Sequence, residues 1–531
     1  MYSRDLRFHH PAAFWLGCAM VVAGVLAHLP MLAMAAPMHY RLAGMPMDST
    51  MLLGMALVPL GVLLAAYGLM PRLQQMRRTS HAGRSTLAFH IADNVPLNRE
   101  HWKLVGVLAL ALAVDVMKPA TIGFVMPGLA DEYGLGSSVT ALLALSALSG
   151  TAVGSVIWGR LGDLFGRRAS ILLSALMFMG TSICGAMPAF GWNLLMCFMM
   201  GAAAGGMLPI TFTLMAETIP SRHRGWLLVA LGGVGTSAGY LLASGAAALV
   251  EPTFSWRALW LLNLPTGALI VLLNRYIPES PRFLALAGLH DQARTVLQQF
   301  CGESATITSA TRASDGTEEA QRVSMRQLLR GRHAAISWGL MVAAVAWGLV
   351  NFGFLLWLPE NLVKLGIDAR ECAALLARSA LLALPGIVLV VALYQRWSSI
   401  RTLVLFIGLT ALSLLCFIVI DATQLRSSAL TIAGTVALLL SVSGVIATLI
   451  PYAAEIYPVH LRSTGAGLIA GGSKFGGILG ALLGVSGLFE HFMLSALLIA
   501  VPLLLAGWML ARSGIETRGQ GLEAIQRALA E

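Results

Sequence analysis

Charge is what this sequence has least of: 11% of its 531 residues are Asp, Glu, Lys or Arg, against roughly 25% in an average soluble domain. With 57% of the chain hydrophobic, that shortage excludes a water-soluble globular protein. Cysteine is also scarce. The six, Cys18, Cys184, Cys197, Cys301, Cys372 and Cys416, lie far apart with no C-x-x-C pair, so neither a disulfide framework nor a redox or metal site is indicated. Missing too are a P-loop, a G-x-S-x-G elbow, an H-E-x-x-H helix and any nucleotide-binding domain. Those absences argue against an enzyme and against ATP-driven pumping, and they call for no cofactor.

What the chain does have is apolar length. Hydrophobic runs lie near 13–35, 51–70, 103–125, 138–158, 170–190, 193–214, 226–249, 258–276, 336–357, 374–393, 403–421, 429–450, 464–486 and 492–511. At about 20 residues per bilayer crossing, they predict fourteen transmembrane helices and an all-α polytopic membrane protein. The first run follows a short basic segment (Arg4, Arg7) as a signal peptide does, but it is longer than a typical signal core and a second span follows it. It is read as a retained helix.

The net charge of +10 is explained by where the charges fall. With the N-terminus inside and sides alternating, 27 of the 35 Lys and Arg residues lie on inside segments. Only Arg41, Arg257, Lys364, Arg370, Arg378 and Arg426 lie on outside segments or outer helix ends. The bias predicts cytoplasmic termini and a bacterial-type inner (plasma) membrane location, with lipid as the surrounding partner. It accounts for the basic balance without nucleic acid, since no basic stretch interleaved with aromatics sits on a soluble domain.

The runs divide into a two-helix unit (1–70), a basic linker (71–102), a six-helix half (103–276), a central loop (277–335), a second six-helix half (336–511) and a tail (512–531). In the central loop, Pro281 to Phe300 alternates apolar and charged residues at helical spacing, which predicts short amphipathic helices. The two halves repeat. Glu217, Pro220 and Arg224 recur in type and spacing as Glu455, Pro458 and Arg462, an E-x-x-P-x-x-x-R pattern at a helix end. Two parallel six-helix repeats describe a transporter that rocks one half against the other. A carboxylate and a guanidinium at the helix ends can pair in one state and part in the other.

A further motif follows the second core helix: Gly159, Arg160, Leu161, Gly162, Asp163, Leu164, Phe165, Gly166, Arg167, Arg168. It resembles the G-x-L-x-D-x-x-G-R-[RK] loop of the major facilitator superfamily. Pro278-Glu279-Ser280-Pro281-Arg282 is similar to the P-E-S-P-R of that superfamily's sugar porters. The resemblance covers about residues 102–512 and implies the twelve-helix bundle of two halves, with two extra N-terminal helices here. The glycines allow a tight turn, and Asp163 is placed to latch the cytoplasmic side. The matching second-half loop, Tyr394 to Arg401, has lost the Asp and the glycines, which puts any latch there in doubt.

Substrate-binding candidates are polar residues inside the spans, where each ionisable group is expensive. Asp115 and Lys118 lie three apart on the first core helix and so share a face. That arrangement is a way to couple proton uptake to an arriving ligand, and also to form a static ion pair. The segment from Asp115 to Leu129 resembles the first core helix of the aromatic-acid:proton symporters in Asp115, Gly123, Phe124, Val125 and Pro127. Lys118 stands where that pattern has a second Asp. Trp347, Asn351 and Phe352 on the seventh core helix look like the same branch, and aromatic rings there could stack on a planar ligand or simply pack. Lys474, on the eleventh, is the other buried cation, placed for a ligand anion or a helix-end carbonyl. Tyr240 follows Gly239 where the antiporter branch places a G-P dipeptide, which argues against a drug:proton antiporter.

The N-terminal unit carries His28, Met31, Met34, Met38, His39, Met45 and Met47. Thioether and imidazole suit soft metals, but Met is also a common apolar filler and no fixed ligand spacing is present. No metal is assigned on that basis. The expected function is a secondary transporter, proton-coupled, for a small organic anion, with substrate and protons as its small partners. A neutral solute such as a sugar, or a sensor on a transporter scaffold, is the alternative, and nothing in the sequence sets an oligomeric state.

Overall fold

The computed structural model describes residues 10–69, 95–286, 289–301, 331–364, 367–423, 428–457, 462–490 and 492–517. Most of the 71–102 linker, the central loop beyond Cys301 and the tail beyond Thr517 lie outside them. Among the described residues every regular element is helical. In order they are α1 (Pro11–Leu26), α2 (Leu29–Met34), α3 (Ser49–Leu69), α4 (Arg99–Tyr133), α5 (Ser137–Phe165), α6 (Arg167–Gly180) and α7 (Phe190–Ala204). Next come α8 (Met207–Thr218), α9 (Ser221–Phe254), α10 (Arg257–Leu261), α11 (Asn263–Leu272), α12 (Pro281–Leu286), α13 (His290–Cys301) and α14 (Gly331–Leu349). The chain continues through α15 (Leu355–Lys364), α16 (Ala369–Ala383), α17 (Gly386–Arg396), α18 (Ser399–Thr423), α19 (Ser428–Ile456), α20 (Arg462–Val485) and α21 (Phe492–Ser513). They provide 14 segments long and apolar enough to cross a membrane, one over each expected run.

The chain forms two compact units whose boundaries fall inside α4, α5 and α9. The first holds Met1–Asp115, Ser149–Arg224 and Phe254–Asp315, the second Val116–Leu148, Gly225–Thr253 and Gly316–Glu531.

In the first unit, α1 and α3 pack along each other and against α6. Their seam is glycine at seven-residue spacing: Gly17 faces Gly61, Gly24 faces Gly54, and Gly68 lies on the backbone at Phe14. A Cβ on Gly17 would stand 2.5 Å from the Gly61 carbonyl oxygen. Such close backbone approach is how helices associate where lipid removes the hydrophobic drive. The amphipathic helices expected after Pro281 are α12 and α13. Helix α13 docks on the start of α4, where Asn98 Nδ2 donates to the Phe300 carbonyl at 2.6 Å and the His101 and Phe300 rings lie 5.0 Å apart.

In the second unit, α18 packs on α19 and α21, and α14 on α20 and α21. The glycines of α20 work as packing positions. At Gly476 the Val345 backbone comes too close for any side chain. Between α14 and α15 the backbone widens into one π turn, Val350–Phe354, a local feature often found at functional sites.

Candidate functional site

Within the second unit a small cavity collects side chains from α4, α9, the π turn, α15 and α19. Its polar lining is Thr236 and Tyr240 from α9, Asn351 from the π turn and Ser443 from α19, with the Phe352 ring beside them. The π turn places Asn351 and Phe352 consecutively on the wall. Tyr240 is buried and its hydroxyl has no hydrogen-bond partner, whereas Ser443 accepts from Ser237 Oγ at 3.0 Å. Rings extend the wall: Phe124 lies 6.0 Å from Tyr240, and Trp347 meets Phe352 edge-on at 5.9 Å. Trp347 is itself fixed by donating Nε1–H to the Val442 carbonyl at 3.0 Å. The free interior is about 30 Å³, room for a water or two and far below the roughly 300 Å³ at which small-molecule pockets begin. The walls must separate before a ligand enters.

The charges inside the spans are arranged unevenly around this cavity, and Lys474, expected to be buried, is only half-buried. Lys474 Nζ lies 5.7 Å from the centre of the Phe352 ring, so one cation stands behind an aromatic wall residue. Asp115 and Lys118 are both buried, Lys118 completely. Neither lines the cavity, although Val116, Pro119 and Ala120 of the same helix do. At about 100° per residue, Asp115 is roughly 40° around the helix from Pro119, and Lys118 is farther round. Asp115 is also not alone as an acid inside the spans. Longer helices than expected bring in Glu251, and Glu360, which is 8% exposed and accepts from Ser137 Oγ at 2.6 Å.

At the end of the first unit that carries the glycine motif, a latch is built around Gly166. Helix α5 runs on to Phe165, so Gly159 and Gly162 are helical and only Gly166 turns, at φ +103°. Glu279 occupies the space a side chain at 166 would need. Its Oε1 accepts from the Arg167 N–H at 2.7 Å, the Arg168 N–H at 3.4 Å and the Ser280 N–H at 3.0 Å. It thus caps α6, where backbone donors and the helix dipole favour an anion. Burial nevertheless pushes the Glu279 carboxyl up to about 7. Arg167 pairs with Glu217 at 3.4 Å and donates to the Gly162 carbonyl at 3.1 Å, while Arg168 donates to Asn274 Oδ1 at 2.9 Å. Arg224 donates to the Ile219 carbonyl that ends α8. The Asp163 side chain lies outside the described residues.

The second unit has a latch of different chemistry. Glu455 accepts from Tyr394 Oη at 2.9 Å and from Thr517 Oγ1 at 2.6 Å. Glu516 accepts from the Ser399 N–H at 3.0 Å, from Ser399 Oγ at 2.7 Å and from Ser398 Oγ. The loop that lost its Asp and glycines is therefore held by its own hydroxyls and by the segment after α21. A Cβ at Gly225, next to Arg224, would lie 3.6 Å from Glu455 Oε1. Pro458 and the Arg462 side chain lie outside the described residues.

The family model of the Major Facilitator Superfamily matches residues 108–481. The chain belongs to the major facilitator superfamily. It is a membrane transporter and not an enzyme. Among its relatives, the niacin transporter NiaP of Acinetobacter baylyi is 28% identical, over 82% of this chain and 98% of that protein. The gallate transporter of Pseudomonas putida is 27% identical over 74% and 86%. The 4-hydroxybenzoate transporter PcaK of Acinetobacter baylyi is 26% identical over 78% and 91%. The partially occluded, inward-open xylose transporter XylE of Escherichia coli has the same fold, at TM-score 0.64 and 17% identity, over 80% of this chain and all of that one.

For this major facilitator chain the motif residues Glu279 and Arg167 were legible as a family pattern, and their contact was not. Glu516 and Thr517 were missed. The available signal was an acidic residue just after the twelfth core helix, where Glu279 stands after the sixth.

Proposed function

We propose that the chain is a proton-coupled symporter of a small organic anion, an aromatic or other carboxylate, working by alternating access of the halves 103–276 and 336–511 from an inner membrane with both termini cytoplasmic. One observation carries the substrate class: Lys474 stands behind Phe352, a wall residue of a cavity whose own polar groups, Tyr240, Asn351, Thr236 and Ser443, are neutral. A ring slots between Phe352 and Tyr240, hydroxyl and amide groups bond its polar substituents, and a fixed cation favours a carboxylate over a cation of the same shape. The relatives named for niacin, gallate and 4-hydroxybenzoate support a planar carboxylate.

Asp115 is assigned the coupling proton, since it lies on the helix that supplies one wall, and Lys118 is the neighbour that tunes it. The gating residues are Gly159, Asp163, Gly166, Arg167, Arg168, Glu217 and Arg224 in the first half and Glu455 and Arg462 in the second. In proteoliposomes with an inward proton gradient, nicotinate or 4-hydroxybenzoate accumulates and a protonophore abolishes the accumulation. The Asp115→Asn variant loses concentrative uptake and keeps exchange. Undiminished accumulation by that variant removes Asp115 from the coupling, and equal transport of the amide analogue overturns the anion reading.

A further inference from the structure

We propose that the N-terminal hairpin holds a binding site for a monovalent soft cation, Cu(I) or Ag(I), with His28 Nε2 as its nitrogen ligand and methionine thioethers as the others. His28 sits at the break between α1 and α2 and is wholly buried. Its Nδ1 lies 2.8 Å from the Gly24 carbonyl oxygen. A carbonyl only accepts, so the ring proton is on Nδ1 and Nε2 carries a bare lone pair. That nitrogen is buried and has no partner. An imidazole with Nδ1–H tied to a backbone carbonyl and Nε2 free is the orientation metal-bound histidines adopt.

The surroundings supply soft donors. The ring lies against Gly54, where a Cβ would come within 2.7 Å of Cε1, the carbon bonded to Nε2. Gly54 is flanked on α3 by Met51 and Met55, and Met31 lies one turn beyond His28. These three belong to one apolar cluster with Met45, Met47, Met187 and Met196. Seven of its seventeen members are methionine, in a chain with 25 methionines among 531 residues. Thioethers donate no hydrogen bond, so they leave Nε2 unsatisfied, yet with a neutral imidazole they form the ligand set that selects Cu(I).

Charge limits the metal. Among the described residues no three His, Cys, Asp or Glu side chains are grouped to hold an ion, which argues against a zinc site. The Asp48 carboxylate caps α3, accepting from the Met51 N–H at 2.8 Å, and it is within electrostatic reach of His28. One negative charge suits one positive charge.

The test is metal binding to the purified full-length protein in detergent under reducing conditions, with Cu(I) offered from a bicinchoninate complex and Ag(I) in parallel. Stoichiometric Cu(I) binding is expected, with a mixed nitrogen and sulfur shell in X-ray absorption. His28→Leu should weaken it at least a hundredfold, and the volume-conserving Met51→Leu at least tenfold. Zn(II) should not compete. No binding by the folded wild-type protein, or binding unchanged in both variants, overturns the site. If His28→Leu does not fold, Met51→Leu and the absorption spectrum decide, and a shell without nitrogen counts against the proposal. Neither readout depends on transport.

Discussion

The Glu516 carboxylate holds Ser399 at both of its donors, the backbone N–H at 3.0 Å and the hydroxyl at 2.7 Å. It does for the start of α18 what Glu279 does for the start of α6. In each case a carboxylate from the segment after the sixth helix of a half satisfies the N–H groups that open the third. A helix start leaves such groups without intrahelical partners, so the same problem was met twice with different surrounding side chains.

Removing that carboxylate should release the tail and leave the Ser399 donors unpaired. Glu516→Ala is expected to destabilise the detergent-solubilised protein by about 1–3 kcal/mol. Glu516→Gln should recover part of the loss. Thermal unfolding followed by thiol-reactive dye reads both, and Tm values equal to wild type would remove Glu516 from the latch.

Gly166→Ala places a side chain where φ is +103° and where Glu279 already sits. Strain of this kind costs about 1–3 kcal/mol, and the cap on α6 is displaced as well. Uptake should fall at least tenfold, and by clearly less in Gly159→Ala, whose Cβ would meet open space. Equal losses in the two variants would show that the motif's glycines matter for something other than this turn.

Burial holds the Glu279 carboxyl at about 7 rather than 4.5. A carboxyl whose pKa is raised on folding binds its proton more tightly in the folded protein. Its stabilising share is complete below about 4.5 and is lost as pH rises through about 7. Between pH 8 and pH 5 this group alone should add up to about 3 kcal/mol. Glu279→Gln, neutral throughout, should flatten that part of the stability profile. A wild-type slope in the variant assigns the pH dependence elsewhere.

Tyr240 presents a hydroxyl with no partner to the cavity. Deleting it costs the resting protein nothing in hydrogen bonding, so Tyr240→Phe should leave Tm unchanged and weaken ligand binding about tenfold, or 1.4 kcal/mol. Lys474→Gln should produce a similar loss for carboxylates and none for their amides. Calorimetric titration of both variants with acid and amide separates a charge contact from a packing role.

The number of spans, the charge bias and the helix-end motifs were all legible in the sequence, because each is a property of one segment and the solvent it meets. An apolar run of about 20 residues crosses wherever its neighbours lie, and the paired Glu and Arg motifs can be read by spacing alone. Which polar groups face one another was not legible. A helix surrounded by lipid and other helices is apolar all round, so no amphipathic stripe says which face turns inward. The sequence put Asp115 and Lys118 on one helix face, and packing decided that Val116, Pro119 and Ala120 of that helix form the cavity wall. It paired Tyr240 with Asn351 and Ser443 across more than a hundred residues of chain, opened a π turn at Val350–Phe354, and set the His28 ring on Gly54. Those outcomes depend on how far one helix rotates against another, and that is decided by contacts no single segment contains.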